Sequence, residues 1–294
     1  MKEPKSAEVF YTDGHPLDQI HYREYKILLK PELFNSADRF EEYWKQIKHI
    51  AKKLDVGVTT NENGFHRLVR EVLFYDTPDY DLYNNSFILR KRTFYEDGWP
   101  KTDHELTFKF RNTDMDTTAG VDIHPLIEGK SDVKFKDEVL PLKNEIGGMR
   151  SLYSHNCVLI SPNIVLEQGI EDIEKVFPTL KKIQLARPSP ISLVNNMSVE
   201  EVQVDVGSFH FGHHYDAKAT IAIWRNRGTE QSLVGEFAFQ AKFDREDEVH
   251  HKAKELSEVF FKAVQTEAPD WVLLGTTKTA KVYGEGKKAT KNNE

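Results

Sequence analysis

Apolar and polar side chains alternate along much of this chain. In HELTFKFR, Glu105, Thr107, Lys109 and Arg111 share one parity, while Leu106, Phe108 and Phe110 share the other. That is the period-two spacing of a strand with two unlike faces. In EEVQVDV, Glu201, Gln203 and Asp205 oppose Val202, Val204 and Val206, and in GEFAFQAKF, Glu236, Ala238, Gln240 and Lys242 oppose Phe237, Phe239, Ala241 and Phe243. Residues 22–29, 70–76, 88–92, 185–194 and 217–225 read as further strands. The expected fold is therefore a β-rich α+β domain with about eight strands, mostly antiparallel. Two segments change period. Residues 36–54 place Phe40, Tyr43, Trp44, Ile47, Ile50, Ala51 and Leu54 at spacings of three and four, with Asn35 or Ser36 able to cap and Gly57 just beyond the end. Residues 247–267 repeat this with Val249, Ala253, Leu256, Val259, Phe260, Ala263 and Val264, and stop before Pro269. A shorter helix is expected over 170–177. Residues 1–18 read as a loose polar arm, 19–283 as a single domain without repeats or linkers, and 284–294 as a disordered tail.

An antiparallel sheet with one wet face shows the same alternation. Two features instead turn the polar faces inward. Lys26, Arg90, Arg92, Lys109, Arg111 and, further on, Arg187 bring cations to successive strands, with carboxylates between them. The two apolar helical stripes also need a sheet face to cover. Helices on an apolar outside leave the polar faces lining a bore, and eight strands enclose room for a small ligand. Such an interior is costly when empty: like charges about 8 Å apart repel by about 2 kcal/mol at an effective dielectric near 20. It suits a compact, highly charged anion, because guanidinium forks match phosphate oxygens. Glu24, Asp205 and Glu236 share these faces and offer oxygen ligands to Mg²⁺ or Mn²⁺.

Composition narrows the alternatives. The 294 residues are 39% hydrophobic and 30% charged, with net charge −7, which argues against general attraction to nucleic-acid polymers or anionic membranes. One cysteine, Cys157, excludes a disulfide framework and a thiolate zinc site. No apolar run approaches the roughly 20 residues that span a bilayer, and no secretory signal is legible, so a cytoplasmic location is expected. No Walker loop, GxSxG, HExxH or dinucleotide glycine pattern occurs. His213-His214 with Asp216 could suggest a metal pair, yet adjacent strand residues point to opposite faces. Phe74, Tyr75, Tyr80 and Tyr83 read as core and turn residues rather than a base-stacking platform, and Cys157 as a structural thiol.

The ordered set YREYK (22–26), FYDTPD (74–79), ILRKR (88–92), LTFK (106–109), LAR (185–187), VQVDVGSFHFG (202–212) and GEFAFQAK (235–242) resembles the CYTH-like triphosphate tunnel enzymes. FYDTPD with LRKR, and VDVG, look closest to bacterial inorganic triphosphatases. The resemblance implies an eight-stranded antiparallel tunnel barrel with helices outside. It implies phosphate contacts from Lys26, Arg90, Arg92, Lys109, Arg111 and Arg187, and a Mg²⁺ or Mn²⁺ ion facing Glu24, Asp205 and Glu236. The implied activity is metal-dependent hydrolysis of inorganic triphosphate or a small triphosphate ester, with Lys26 orienting the water or neutralising the terminal phosphate. This sequence departs from the family where Tyr22 replaces a first glutamate and where Ala238 and Gln240 follow Glu236 in place of further glutamates. Those departures keep two alternatives open: a class IV-type adenylyl cyclase, and a non-catalytic binder of phosphate, nucleotide or polyphosphate.

Overall fold

A computed structural model describes residues 10–11, 14–62, 65–127, 130–162, 169–183 and 188–284. In chain order the elements are β1 (Tyr22–Leu29), α1 (Asp38–Lys53), β2 (Gly57–Thr60), β3 (Arg67–Asp76), α2 (Asp81–Asn84), β4 (Phe87–Glu96), β5 (Trp99–Asn112) and α3 (Met115–Ala119). They continue with β6 (Ser131–Leu140), β7 (Arg150–Ser161), α4 (Ile170–Val176), β8 (Ser192–His210), β9 (Asp216–Asn226), β10 (Ser232–Lys242), α5 (His251–Glu267) and α6 (Lys278–Tyr283).

The strands run β8-β3-β4-β5-β7-β6-β1-β10-β9, and β9 pairs back onto β8, closing a barrel. Its wall has nine strands rather than the expected eight, with β2 outside on the far half of β8. All these pairings are antiparallel except that of β1 with β6. The count differs because β6 and β7 carry little of the signal that marks the others. In β7 one parity reads Leu152, Ser154, Asn156 and Val158 and the other Tyr153, His155, Cys157 and Leu159, so neither face is consistently apolar. The two stretches expected at 185–194 and 200–206 become one strand, β8, from Ser192 onward, while 184–187 lie outside the described residues.

The apolar outer faces are covered by helices, as their stripes require. Tyr25, Ile27, Phe237 and Phe239 meet Tyr43, Trp44 and Ile47 of α1 and Phe260, Phe261 and Val264 of α5 in the largest core cluster. Leu89, Phe108 and Cys157 on the opposite wall meet Ile170 and Ile173 of α4. A third cluster joins Leu28, Val72, Phe74, Ile88 and Trp224, on the same parities as the bore's charges, to Val282 and Tyr283 of α6. It forms an apolar plug at one end of the bore. Gly207 sits where β8 leaves the barrel to pair β2: its φ is +149°, and a Cβ there would lie 2.0 Å from the Thr59 carbonyl oxygen. No helix among the described residues is long and apolar enough to cross a membrane.

Candidate functional site

The polar faces point inward. A cavity of about 890 Å³ runs through the barrel, lined by nine basic and six acidic side chains. The bore thus carries an excess of positive charge inside a protein whose net charge is −7. Lys26, Arg90, Arg92, Lys109 and Arg111 all line it, as do Glu24, Asp205 and Glu236. Arg187 lies outside the described residues.

Lys26 is the centre of the wider cluster. β1 and β6 put Glu24 and Glu138 in register, and the Lys26 ammonium bridges them, 3.0 Å from Glu24 Oε2 and 3.3 Å from Glu138 Oε2. Lys136 donates to Glu24 at 3.2 Å and to Gln240 at 2.6 Å. Lys109 Nζ lies 2.5 Å from Glu138 Oε1, which also accepts from Ser154 Oγ at 2.6 Å. Burial opposes the Glu24 carboxylate, but Lys136 and Lys26 outweigh it and hold its pKa down to about 2. Burial likewise opposes the Lys26 ammonium, and Glu138, Glu24 and Glu236 overcome it and raise its pKa. Lys109 goes the other way, down to about 7. Burial dominates there, and Glu138, already shared with Lys26, cannot offset both that and the repulsion from Lys26 and Arg111. Glu138 itself is held well below the usual carboxylate range: burial is outweighed by Lys109, Lys26 and Arg111.

A second group gathers around Glu201. Its Oε2 lies 3.1 Å from Arg70 Nε and 3.7 Å from Arg92 Nε, and its Oε1 accepts from the Trp224 indole at 2.9 Å. Arg92 Nη1 donates to Glu105 at 2.9 Å, and Arg90 Nη2 to Thr107 Oγ1 at 3.1 Å. Arg90 Nε is buried and has no hydrogen-bond partner among the described residues. Lys278, the first residue of α6, enters from the plug: its Nζ lies 2.6 Å from Glu236 Oε1, 3.6 Å from Glu201 Oε1 and 4.7 Å from the centre of the Trp224 ring.

The bore gathers the sequence-predicted phosphate contacts that are described, but Glu24, Asp205 and Glu236 do not converge on one point. Across the β1–β10 ladder Glu24 stands opposite Gln240, whereas Glu236 stands opposite Leu28, four residues further on. Asp205 accepts from Gln203 Nε2 at 2.9 Å. The carboxylate that stands beside Glu24 is Glu138. Sequence reasoning passed over it, together with Arg70, Lys136 and Lys278. Lys134, Lys136 and Glu138 do alternate with Val133 and Phe135, so a signal existed. Lys278, on a short helix, gives none. Tyr22 has Lys134, Lys136 and Lys242 within 5.9, 5.5 and 5.8 Å of its ring centre.

FYDTPD has a structural role. Asp76 accepts the backbone N–H groups of Thr77, Leu82 and Tyr83 at 2.8, 2.9 and 3.0 Å and the Tyr283 hydroxyl at 3.0 Å, tying α6 to the wall. His213 stacks on His250 at 3.5 Å between ring centres. Cys157 is buried in the outer wall, and burial pushes its thiol up to about 12.

The fold and site define a class: a closed β-tunnel with a cationic bore. No protein-family model and no curated protein matches the chain. Among solved structures it is similar to a candidate adenylyl cyclase from Hippeastrum described as having a dominant triphosphatase activity, at 13% identity and TM-score 0.43, over 91% of this chain and 97% of that one. It is also similar to a candidate adenylate cyclase from Bacillus halodurans, at 11% identity and TM-score 0.39, over 90% and 98%. A further candidate adenylate cyclase, from Vibrio parahaemolyticus, aligns at 11% identity and TM-score 0.36, over 91% and 100%. Likeness this loose carries no functional assignment.

Proposed function

We propose that the bore binds inorganic triphosphate or a small triphosphate ester and hydrolyses its terminal phosphoanhydride with a divalent metal. The observation that carries this reading is the surplus of cations over carboxylates lining a cavity of about 890 Å³. Arg90, with its buried unpartnered Nε, and Arg92 present guanidinium forks to phosphate oxygens. Lys109 adds charge from the neighbouring strand, and a bound polyanion would return it to the ammonium form. Glu105 and Glu201 hold Arg92 in place. Charge developing on the transferring phosphoryl group would meet donors already oriented, which is how such sites lower barriers.

A metal fits one place. Glu24 Oε2 and Glu138 Oε2 converge on the same Lys26 ammonium, and Mg²⁺ is commonly held by one or two carboxylates together with substrate phosphates. Glu24 and Glu138 would hold the ion; bound there, it would neutralise phosphate oxygens and acidify a water. Lys26, displaced from between the two carboxylates, would turn to the terminal phosphate. Each of these carboxylates is already neutralised by lysine, Glu236 by Lys278, Glu24 by Lys26 and Lys136, and Glu138 by Lys26 and Lys109. That pairing is the observation favouring the second reading, a polyphosphate binder without turnover.

The test is phosphate release from tripolyphosphate and from ATP with Mg²⁺ or Mn²⁺, beside a Lys26→Ala variant. Release that the variant abolishes supports hydrolysis. No release, with thermal stabilisation by tripolyphosphate retained, moves the assignment to the binder, and a cyclic product from ATP moves it to the cyclase. No stabilisation by any polyphosphate overturns an anion-binding bore altogether.

A further inference from the structure

We propose a second site, outside the tunnel: a clip for a divalent transition metal, zinc by its donor chemistry, formed by His15, Asp122 and His124, with Asp18 supporting His124 from the other nitrogen of its ring. His15, Asp122 and His124 each offer one ligating atom, and these atoms all lie within 4.8 Å of one another, the only such group of three among the described residues. Asp18 Oδ2 lies 3.5 Å from His124 Nε2. Asp122 Oδ1 meets the other nitrogen of that ring, Nδ1, so Nδ1 is the ligating atom and Asp18 faces the nitrogen turned away from the ion.

The surroundings are arranged for these donors. Asp122 Oδ1 accepts the His124 backbone N–H at 2.9 Å and lies 2.8 Å from His124 Nδ1, which fixes the turn carrying both residues. The His15 and His124 rings stand edge to face, 5.1 Å apart, beneath the buried Tyr11 ring. Asp18 is aimed by His155, which is fully buried on β7. The His155 Nδ1 is 2.9 Å from the Val121 carbonyl and its Nε2 is 2.8 Å from Asp18 Oδ2. A carboxylate held beside the outer nitrogen of a ligating imidazole, as Asp18 is held beside His124 Nε2, is the outer support that metal ligands need. Two imidazoles and one carboxylate without thiolate suit zinc among the divalent ions, and disfavour Mg²⁺, which prefers an all-oxygen shell.

None of these residues lines the bore. His15 and Asp18 precede β1, Asp122 and His124 lie between α3 and β6, and His155 sits on β7. The clip would therefore fasten the segment before β1 to the outer wall, next to the parallel pairing of β1 with β6.

The experiment uses the untagged full chain, stripped of metal and titrated with Co²⁺ while visible absorption is followed, then with Zn²⁺ as competitor. The expected result is one Co²⁺ per chain with the intense bands of tetrahedral coordination, displaced by Zn²⁺. A Glu24→Gln/Glu138→Gln variant keeps that binding, whereas His15→Ala and His124→Ala weaken it by about tenfold or more. His15→Gln, in the segment before the barrel, tests the donor if His124→Ala fails to fold. Octahedral bands only, loss of the bands with the tunnel variant, or unchanged affinity in both His15 variants overturns the site. These outcomes are independent of whether the bore hydrolyses anything.

Discussion

Replacing Lys278 by methionine tests whether its ion pair is what withholds Glu236 from a metal. Methionine keeps an unbranched stem against Trp224 and removes the charge. Glu201 would be little affected, since Arg70 at 3.1 Å, Arg92 at 3.7 Å and the Trp224 indole at 2.9 Å remain. Glu236 would lose its 2.6 Å partner and keep the more distant fields of Lys26 and Arg92. Removing one partner of a buried pair costs about 3–5 kcal/mol. These side chains are 18% and 11% exposed, so partial screening lowers the expected loss to about 2–3 kcal/mol. For a chain of this size that is a fall in midpoint of about 5 °C or more. The assay is thermal unfolding with and without Mg²⁺, beside Glu236→Gln and the double variant. The pair predicts recovery in the double variant, because the stranded charge goes with its partner. It also predicts that Mg²⁺ stabilises Lys278→Met more than wild type, by about 2.7 kcal/mol at one hundred times its dissociation constant if it binds the freed carboxylate. An unchanged midpoint in Lys278→Met, or strictly additive losses, would refute the reasoning.

Three other outcomes follow from the same geometry. Arg90→Ala should weaken tripolyphosphate binding by about 1.5–3 kcal/mol, the range for hydrogen bonds to charged groups, measured by calorimetry; an unchanged affinity would remove Arg90 from the anion site. Tyr283→Phe should destabilise the fold by about 1–2 kcal/mol in denaturant melts, because buried Asp76 loses one of its donors, and no loss would deny that Asp76 secures α6. Lys109 is held at about 7 against an ordinary 10.5, so between those values the unfolded chain binds a proton that the fold lacks, and stability rises with pH across that window. A bound polyanion restores the ammonium, so binding near pH 8 should take up close to one proton per chain and weaken as pH rises. Calorimetry in buffers of different ionisation enthalpy reads that uptake, and its persistence in Lys109→Arg would exclude Lys109 as its source.

The inward turn of the polar faces was legible because β5 sets Glu105, Lys109 and Arg111 against Leu106, Phe108 and Phe110 at period two, and because the stripes of α1 and α5 needed an apolar wall to cover. The ninth strand was not. β7 places Asn156 and Ser154 inside but backs them with His155 and Cys157, so polarity does not mark its two faces. Glu138 was hidden for a related reason: Asp137 faces outward toward Arg23, 3.5 Å from its Nε, and breaks the contrast between neighbours. Metal ligands were harder still. Parity assigns a carboxylate to the bore but not to a level along it, and the level depends on register. The parallel pairing of β1 with β6 that brings Glu138 beside Glu24 joins strands about a hundred residues apart in sequence. Lys278 follows no strand at all and reaches the bore only because α6 folds back as a plug.

The way charges are shared in the bore explains how it can be stable empty and still favour an anion. Pairing each cation with its own carboxylate would leave a neutral lining with little pull on phosphate. Here single carboxylates serve several cations: Glu138 faces Lys26 and Lys109, and Glu201 faces Arg70, Arg92 and Lys278. Glu138 is thereby held ionised, burial notwithstanding, while Lys109 stays only partly compensated, as its lowered pKa shows. The uncompensated part is what a polyanion would satisfy. The same sharing fixes guanidinium orientation before any ligand arrives, so little reorganisation is left for the binding step. The sharing makes two centres, with Glu138 beside Lys26 and Glu201 beside Lys278 at the plug. An anion of several linked phosphates could reach both centres at once, whereas a single phosphate could satisfy only one.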